Sequence, residues 1–294
     1  MVNRPGPTSR DPTAGEQGSL HMNDLPTAPY LPTEDPDVVR STALARAGWY
    51  PDGQHGGVVS ALLGRAIERV PALTPMAVAR LTVELFRVVP IVPLRVDTRV
   101  IREGKRIQVV EATLRDPADV ELARASGLRL RITDLNLPSE ANPAPLSIPA
   151  PETLTPPDMR HWGVGPEGEV LYHRHAVEVR EFHGGFGRTG PGSMWMRLRC
   201  PLVAGEELTP LTRAIVVGDF VNGLSRLADA REFIFMNADL SIHLHRLPVG
   251  EWVGVSAESS WGRAGRGVAT GALFDVEAPI GRSTQTLFLD RTPT

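Results

Sequence analysis

The sequence predicts an α+β protein in which one unit occurs twice, a long helix wrapped by an antiparallel sheet. Three observations predict it. Two apolar runs with helical spacing, residues 58–70 and 212–230, are each followed by four segments that alternate polar and apolar residues. The two sets stay in register at a constant offset of 159 positions over their first three strands. The apolar stripe on the first helix is wide, so a sheet is expected to curl around it.

In chain order, residues 1–33 are rich in Pro, Gly, Ser, Thr and Asp and are expected to form a disordered tail, with Met22 as an alternative start. The first unit spans 34–135. It opens with a short helix over 37–47 and a turn at Gly48-Trp49-Tyr50-Pro51-Asp52-Gly53. Gln54-His55-Gly56-Gly57 then starts the long helix, and its glycines permit close approach of another segment or a ligand. Strands are predicted at 77–88, 94–103, 106–115 and 121–133, with a hairpin turn at Arg102-Glu103-Gly104-Lys105-Arg106. Residues 136–169 form a Pro-rich linker. The second unit, 170–294, carries strands at 175–181 and 194–201, the second helix at 212–230, and strands at 238–246, 252–261, 267–276 and 282–291.

Composition narrows the function classes. A net charge of −3 points to neither nucleic acid nor an anionic membrane as partner. No apolar run is long enough to span a bilayer, and the N-terminus lacks the apolar core of a secretory signal. The single cysteine, Cys200, excludes an intrachain disulfide. A cytoplasmic location follows.

Leu81-Thr82-Val83-Glu84-Leu85-Phe86-Arg87 lies against Leu240-Ser241-Ile242-His243-Leu244-His245-Arg246, and Ala112-Thr113-Leu114-Arg115-Asp116 against Gly271-Ala272-Leu273-Phe274-Asp275, both at the offset of 159. A helix covered by an antiparallel sheet is the hotdog architecture. Two in one chain make a tandem (double) hotdog whose merged sheets cover their edges. The same shift takes Asp219 to Ser60, Asn237 to Val78 and Gln285 to Ser126. The first copy is therefore chemically blunted, and the site is expected in the second half.

Gln54-His55-Gly56-Gly57 before an apolar helix, Thr82-Val83-Glu84-Leu85-Phe86-Arg87, and the second-half Asp219, Ser241 to Arg246 and Gln285 resemble the acyl-CoA thioesterase II type of double-hotdog protein over about residues 45–291. The resemblance implies an acyl-CoA substrate, hydrolysis to free acid and CoA, no cofactor, and a homo-oligomer. It also implies a trio of Asp, Thr or Ser, and Gln that polarises a water. Asp219 and Gln285 match that trio. Asn237 stands at the Thr position, where an amide orients water without being a hydroxyl. Ser241 and Asp239 are the nearby substitutes.

Thioester hydrolysis needs a base for the water and donors facing the developing oxyanion. Asp219, expected in the first turns of its helix, suits the base, and the helix start supplies N–H groups. The catalytic expectation is Asp219, Asn237 and Gln285, with His55, Gly56, Gly57 and Ser241 for substrate binding. Asn237, Asp239, Ser241, His243 and His245 are expected on one face of their strand. The pair His243 and His245 has no evident third ligand, so no metal is expected. Three rival readings stand beside this one: a non-catalytic acyl-CoA-binding protein, an enoyl-CoA hydratase-like enzyme, and a structural subunit. The hydratase reading suffers because Asp219-Phe220-Val221-Asn222 runs into Gly223-Leu224-Ser225 without the Pro and His that chemistry uses.

Overall fold

Strand pairing joins both halves of the chain into one antiparallel sheet. The computed structural model describes residues 25–50, 52–141, 144–159, 162–166 and 168–292; the tail expected over residues 1–24 lies outside them. The elements are β1 (Tyr30–Pro32), β2 (Val38–Ser41), α1 (Gly56–Arg69), β3 (Met76–Leu85), β4 (Pro93–Arg102), β5 (Ile107–Arg115), β6 (Glu121–Arg131), α2 (Tyr172–His175), β7 (Val177–His183), β8 (Gly192–Leu198), α3 (Pro210–Asp219), α4 (Val221–Leu224), β9 (Phe233–Asn237), β10 (Asp239–Leu244), β11 (Val253–Gly262), β12 (Arg266–Phe274) and β13 (Pro279–Arg291). The sheet runs β1-β2-β4-β5-β6-β3-β10-β13-β12-β11-β8-β7, with β9 paired to β13.

The halves meet at β3 and β10, where Ser241 lies opposite Thr82. These two residues are 159 positions apart, so a pseudo-twofold axis passes between them. Outward from that axis, β3, β6, β5 and β4 are matched by β10, β13, β12 and β11. Alternation decides which face each strand buries. In β5 every second residue, from Gln108 to Leu114, is buried. Val58, Val59, Leu62, Leu63 and Ile67 of α1 and Leu211, Ala214, Ile215 and Val216 of α3 fill the space beneath the sheet. Each such large aliphatic side chain contributes about 1.5–3 kcal/mol by leaving water. The proline-rich segment runs along the sheet's far side, where the Trp195 indole N–H donates to the Pro149 carbonyl at 2.9 Å.

Six expectations need correction. The aperiodic tail was expected through residue 33, but Tyr30 sits in β1 fully buried, its hydroxyl donating to Gln54 Oε1 at 2.7 Å. The expected helix at 37–47 is β2 followed by a 3₁₀ turn at Ala43–Ala45, because Val38-Val39-Arg40-Ser41 pairs with both β1 and β4. The strand expected from 175 starts at Val177, after the single turn of α2.

The helix expected over 212–230 ends far earlier. Thr209 caps α3 by accepting the Thr212 N–H at 3.2 Å, and Pro210 follows at the first position. The axis then breaks at Phe220, and α4 stops at Leu224, where the Ser225 hydroxyl donates to the Val221 carbonyl. Apolar spacing continues through Leu227, which is why the sequence pattern overshoots.

The strand expected over 238–246 is β10, Asp239–Leu244, and a further strand, β9, precedes it across a one-residue bulge. β9 pairs with β13 in one register, Asn237 opposite Leu287, while β10 pairs in another, Ser241 opposite Thr284. The extra residue is Ala238. β3 carries the matching irregularity between Val78 and Arg80, at Ala79, which is 159 positions earlier. Register also changes one equivalence. Thr82 pairs with Ser126, and Ser241 pairs with Thr284, so the counterpart of Ser126 is Thr284, and Gln285 corresponds to Gly127.

Candidate active site

The bulge at Ala238 decides where Asn237 points. Leu240, Ile242 and Leu244 are buried beneath the sheet, so Asp239, Ser241 and His243 face outward. One extra residue reverses that parity, and Asn237 points inward with Phe235. The expected single face of Asn237, Asp239, Ser241, His243 and His245 is therefore not formed. The Ser241 hydroxyl donates to Thr82 Oγ1 at 3.1 Å across the halves, outside the cavity described below. His243 and His245 are exposed.

Asp219 is the centre of the inward-facing group. It is the last residue of α3, not an early one, so the N–H groups of its own helix start are far from it. The start it meets belongs to α1, in the first half. A Cβ on Gly56 would lie 3.0 Å from Asp219 Oδ1, and one on Gly57 would lie 3.0 Å from Asp219 Cβ. Only glycines let the carboxylate come this close to the first turn, where the helix dipole favours negative charge.

The carboxylate is 4% exposed and hydrogen-bonded at Oδ1. The Asn237 amide donates to Oδ1 at 2.9 Å. Gln285 Nε2 donates to the Asp219 carbonyl at 3.0 Å and lies 3.4 Å from Oδ1. His55 Nδ1 lies 3.2 Å from Oδ2 and also receives the Gly57 N–H at 3.2 Å. The His55 ring is held by Phe220, centroids 4.8 Å apart.

Gln285 is wholly buried and stands behind Asp219 rather than on the cavity wall. Its Oε1 receives the Asn222 N–H at 3.1 Å, just past the break between α3 and α4. Asn222 in turn donates to the Phe235 carbonyl at 3.2 Å. The helix break and β9 are thus tied together through one amide side chain.

Asp219, Asn237, His55 and Gly56 close the polar end of a cavity of about 340 Å³. Its other walls are mainly apolar and include Val59, Leu85, Val89, Phe220, Phe235 and Phe288. Trp49 meets Phe235 edge-on at 4.9 Å. An apolar pocket ending in a few convergent polar groups suits an acyl chain carrying one reactive carbonyl. Sequence reasoning missed His173, which lies on a segment without periodicity, and gave Asn222 no part because it read the helix straight through the break at Phe220. The duplication also misdirected it. The site draws His55, Gly56 and Gly57 from the first half and Asp219, Asn237 and Gln285 from the second.

Family models match the chain as an acyl-CoA thioesterase N-terminal domain over residues 45–130 and an acyl-CoA thioesterase C-terminal domain over residues 150–289. The chain belongs to the acyl-CoA thioesterase family. As a member it is a thioester hydrolase. No curated protein matches the sequence significantly. Among solved structures, a protein assigned as thioesterase II of Thermobifida fusca is 16% identical with a TM-score of 0.68, covering 92% of this chain and 97% of its own. A hotdog-fold protein of unknown function from Alicyclobacillus acidocaldarius is 14% identical with a TM-score of 0.67, covering 87% and 93%. The acyl-CoA thioesterase II TesB2 of Mycobacterium marinum is 14% identical with a TM-score of 0.60, covering 89% and 95%. At these identities the likeness establishes the hotdog fold. In this thioesterase, among the described residues, no cluster of three or more His, Cys, Asp or Glu side chains is placed to hold a metal. None of its described helices is long and apolar enough to cross a membrane.

Proposed function

We propose that this family member hydrolyses an acyl-CoA thioester to free acid and CoA through a water activated by Asp219. One observation carries the reading: a nearly buried carboxylate lies against a glycine helix start at the polar end of an apolar cavity. Water attacks the thioester carbonyl carbon as Asp219 takes its proton. The oxyanion faces the Gly56 N–H at the positive end of the α1 dipole, and the carbon–sulfur bond breaks when the carbonyl re-forms. Asp219 then returns the proton to the leaving thiolate. Asn237 holds Oδ1 and offers its amide oxygen to the water, the part a hydroxyl plays in the resembling family. Gln285 is a positioning residue that fixes the Asp219 backbone.

The same reading takes residues 34–135 and 170–294 as the two hotdogs of a double hotdog, with α1 and α3 as their central helices. It places the protein in the cytoplasm as a homo-oligomer. The test is thiol release from acyl-CoAs of graded length by wild type and by Asp219→Asn. The variant is expected to lose about 10²–10⁴-fold in kcat, the usual worth of a positioned base. Equal rates for the two proteins would overturn the assignment.

A further inference from the structure

The cavity that ends at Asp219 opens at the seam between the two halves. β3 and β10 stay paired up to Glu84 opposite Asp239, and β3 ends one residue later. Phe86, Arg87, Val88, Ala238 and Phe288 flank the gap that follows; all five line the cavity and are exposed. The nucleotide of CoA is too bulky for a cavity of about 340 Å³, so a thioester enters by this mouth with its CoA end outermost. The acyl chain then runs past Asp219 towards the wall opposite.

Arg226 stands on that wall. It follows Asp219 by seven positions, on the order of 10 Å at a helical rise. Its neighbour Ser225 is held to the Ser259 hydroxyl of β11 at 2.7 Å, and β11 is three strands from β10. At about 4.8 Å per strand, that is roughly 14 Å from the seam. The Arg226 carbonyl accepts the Gly190 N–H at 2.8 Å, which fixes the backbone. The side chain is half-buried. Its Nε is covered, its terminal nitrogens stay accessible, and among the described residues the guanidinium has no hydrogen-bond or ion-pair partner. Asp229, the acid that senses its charge, is taken by Arg231 on both oxygens, at 3.2 and 2.6 Å. Asp219 is the one carboxylate lining the cavity among the described residues. A cation drawn partly out of water without a counter-charge is unfavourable, and a carboxylate matches the guanidinium fork with two parallel hydrogen bonds.

We propose that Arg226 binds a carboxylate at the far end of the acyl chain, so that the enzyme acts on ω-carboxyacyl thioesters, the half-thioesters of dicarboxylic acids. This rests on the thioesterase reading above. Between the two ends the walls are apolar, with Trp49 edge-on to Phe235, and suit the methylenes of the chain. The phosphates of CoA stay outside, on the side of the exposed Arg87. A chain ending in a methyl group leaves the Arg226 guanidinium unpaired, and a site built this way discriminates against it.

The test measures kcat/KM by thiol release for wild type, Arg226→Gln and Arg226→Lys. The substrates are acyl-CoAs and ω-carboxyacyl-CoAs of matched, graded length, and the N-acetylcysteamine thioesters of the same acids, which carry no phosphate. Wild type should prefer the carboxylated chain over a narrow range of lengths. Arg226→Gln should lower the carboxylated-to-plain ratio about tenfold or more, mainly through KM, on both kinds of thioester. Arg226→Lys, which keeps the charge without the fork, should give an intermediate ratio. A ratio that Arg226→Gln leaves unchanged overturns the proposal, as does a wild type that prefers the plain chain at every length. A fall in the CoA to N-acetylcysteamine ratio alone gives Arg226 to the phosphates and overturns it as well. If Arg226→Gln fails to fold, the ratio in Arg226→Lys decides. If wild type releases no thiol from any of these substrates, the thioesterase reading is what fails. The inference is then judged by the same ratio of dissociation constants for CoA thioethers with and without the terminal carboxylate.

Discussion

Asn237 Nδ2 lies 2.9 Å from Asp219 Oδ1, and the one-residue bulge at Ala238 puts it there. Without that extra residue Asn237 would share the outward parity of Ser241, and the carboxylate would lose its nearest side-chain donor.

This pairing sets an expectation for Asn237. Asn237→Ala should lower kcat about 10–100-fold with a small change in KM, since a charge-assisted hydrogen bond contributes about 1.5–3 kcal/mol. Asn237→Thr, which places the family's hydroxyl there, should stay within about tenfold of wild type. Steady-state kinetics on one acyl-CoA checks both. An inactive Thr variant alongside a fully active Ala variant would contradict the role given to the amide.

Gln285 acts through Asp219 and the helix break. Gln285→Ala strands the Asn222 N–H and the Asp219 carbonyl in a buried space. Thermal unfolding should register a loss of roughly 2–4 kcal/mol, at about 1–3 kcal/mol for each group left unpaired. kcat should fall more than KM rises.

Gly56→Ala separates stability from activity. Alanine's helix preference, at most about 1 kcal/mol over glycine, offsets part of the close contact, so the melting temperature should change little. Its Cβ would stand 3.0 Å from Asp219 Oδ1 and push the carboxylate from the helix start. kcat/KM should fall at least tenfold, a combination that loss of fold does not produce.

Acid stability should depend on Asp275. Burial alone would raise its pKa. Both Arg246 guanidinium nitrogens at 2.6 Å, with the N–H groups of Val249, Glu277 and Ala278, outweigh that and hold it at about 2, below the ordinary 3.8. A depressed carboxylate pKa adds stability that is complete above the unfolded value and lost as pH falls through the folded one. The contribution is roughly 2 kcal/mol, released between about pH 4 and pH 2. Chemical denaturation across that window should show a shallower acid loss for Asp275→Asn than for wild type.

Much of this was legible beforehand. The offset of 159 positions survives as the pairing of Ser241 with Thr82 and as matched bulges at Ala79 and Ala238. Asp219, Asn237 and Gln285 do converge, and His55 with Gly56 and Gly57 meets them. Ser241 failed because strand parity was read straight through a bulge that leaves no mark in the residue pattern. The linear shift paired Gln285 with Ser126, whereas ladder register pairs it with Gly127, a slip visible only in hydrogen bonds.

The sequence by itself determined the repeated helix-and-sheet unit and the kinds of chemistry its second copy carries, because apolar periodicity and residue identity are local properties of the chain. Only the tertiary structure decided that Asp219 ends one helix and meets the start of the other. It also decided that Asn237 turns inward and that His173 lines the same wall. Those placements depend on where α3 breaks, where β9 bulges and how closely two glycines let α1 approach. They are contacts between segments that pattern alone does not bring together, some of them more than a hundred residues apart, and packing sets them.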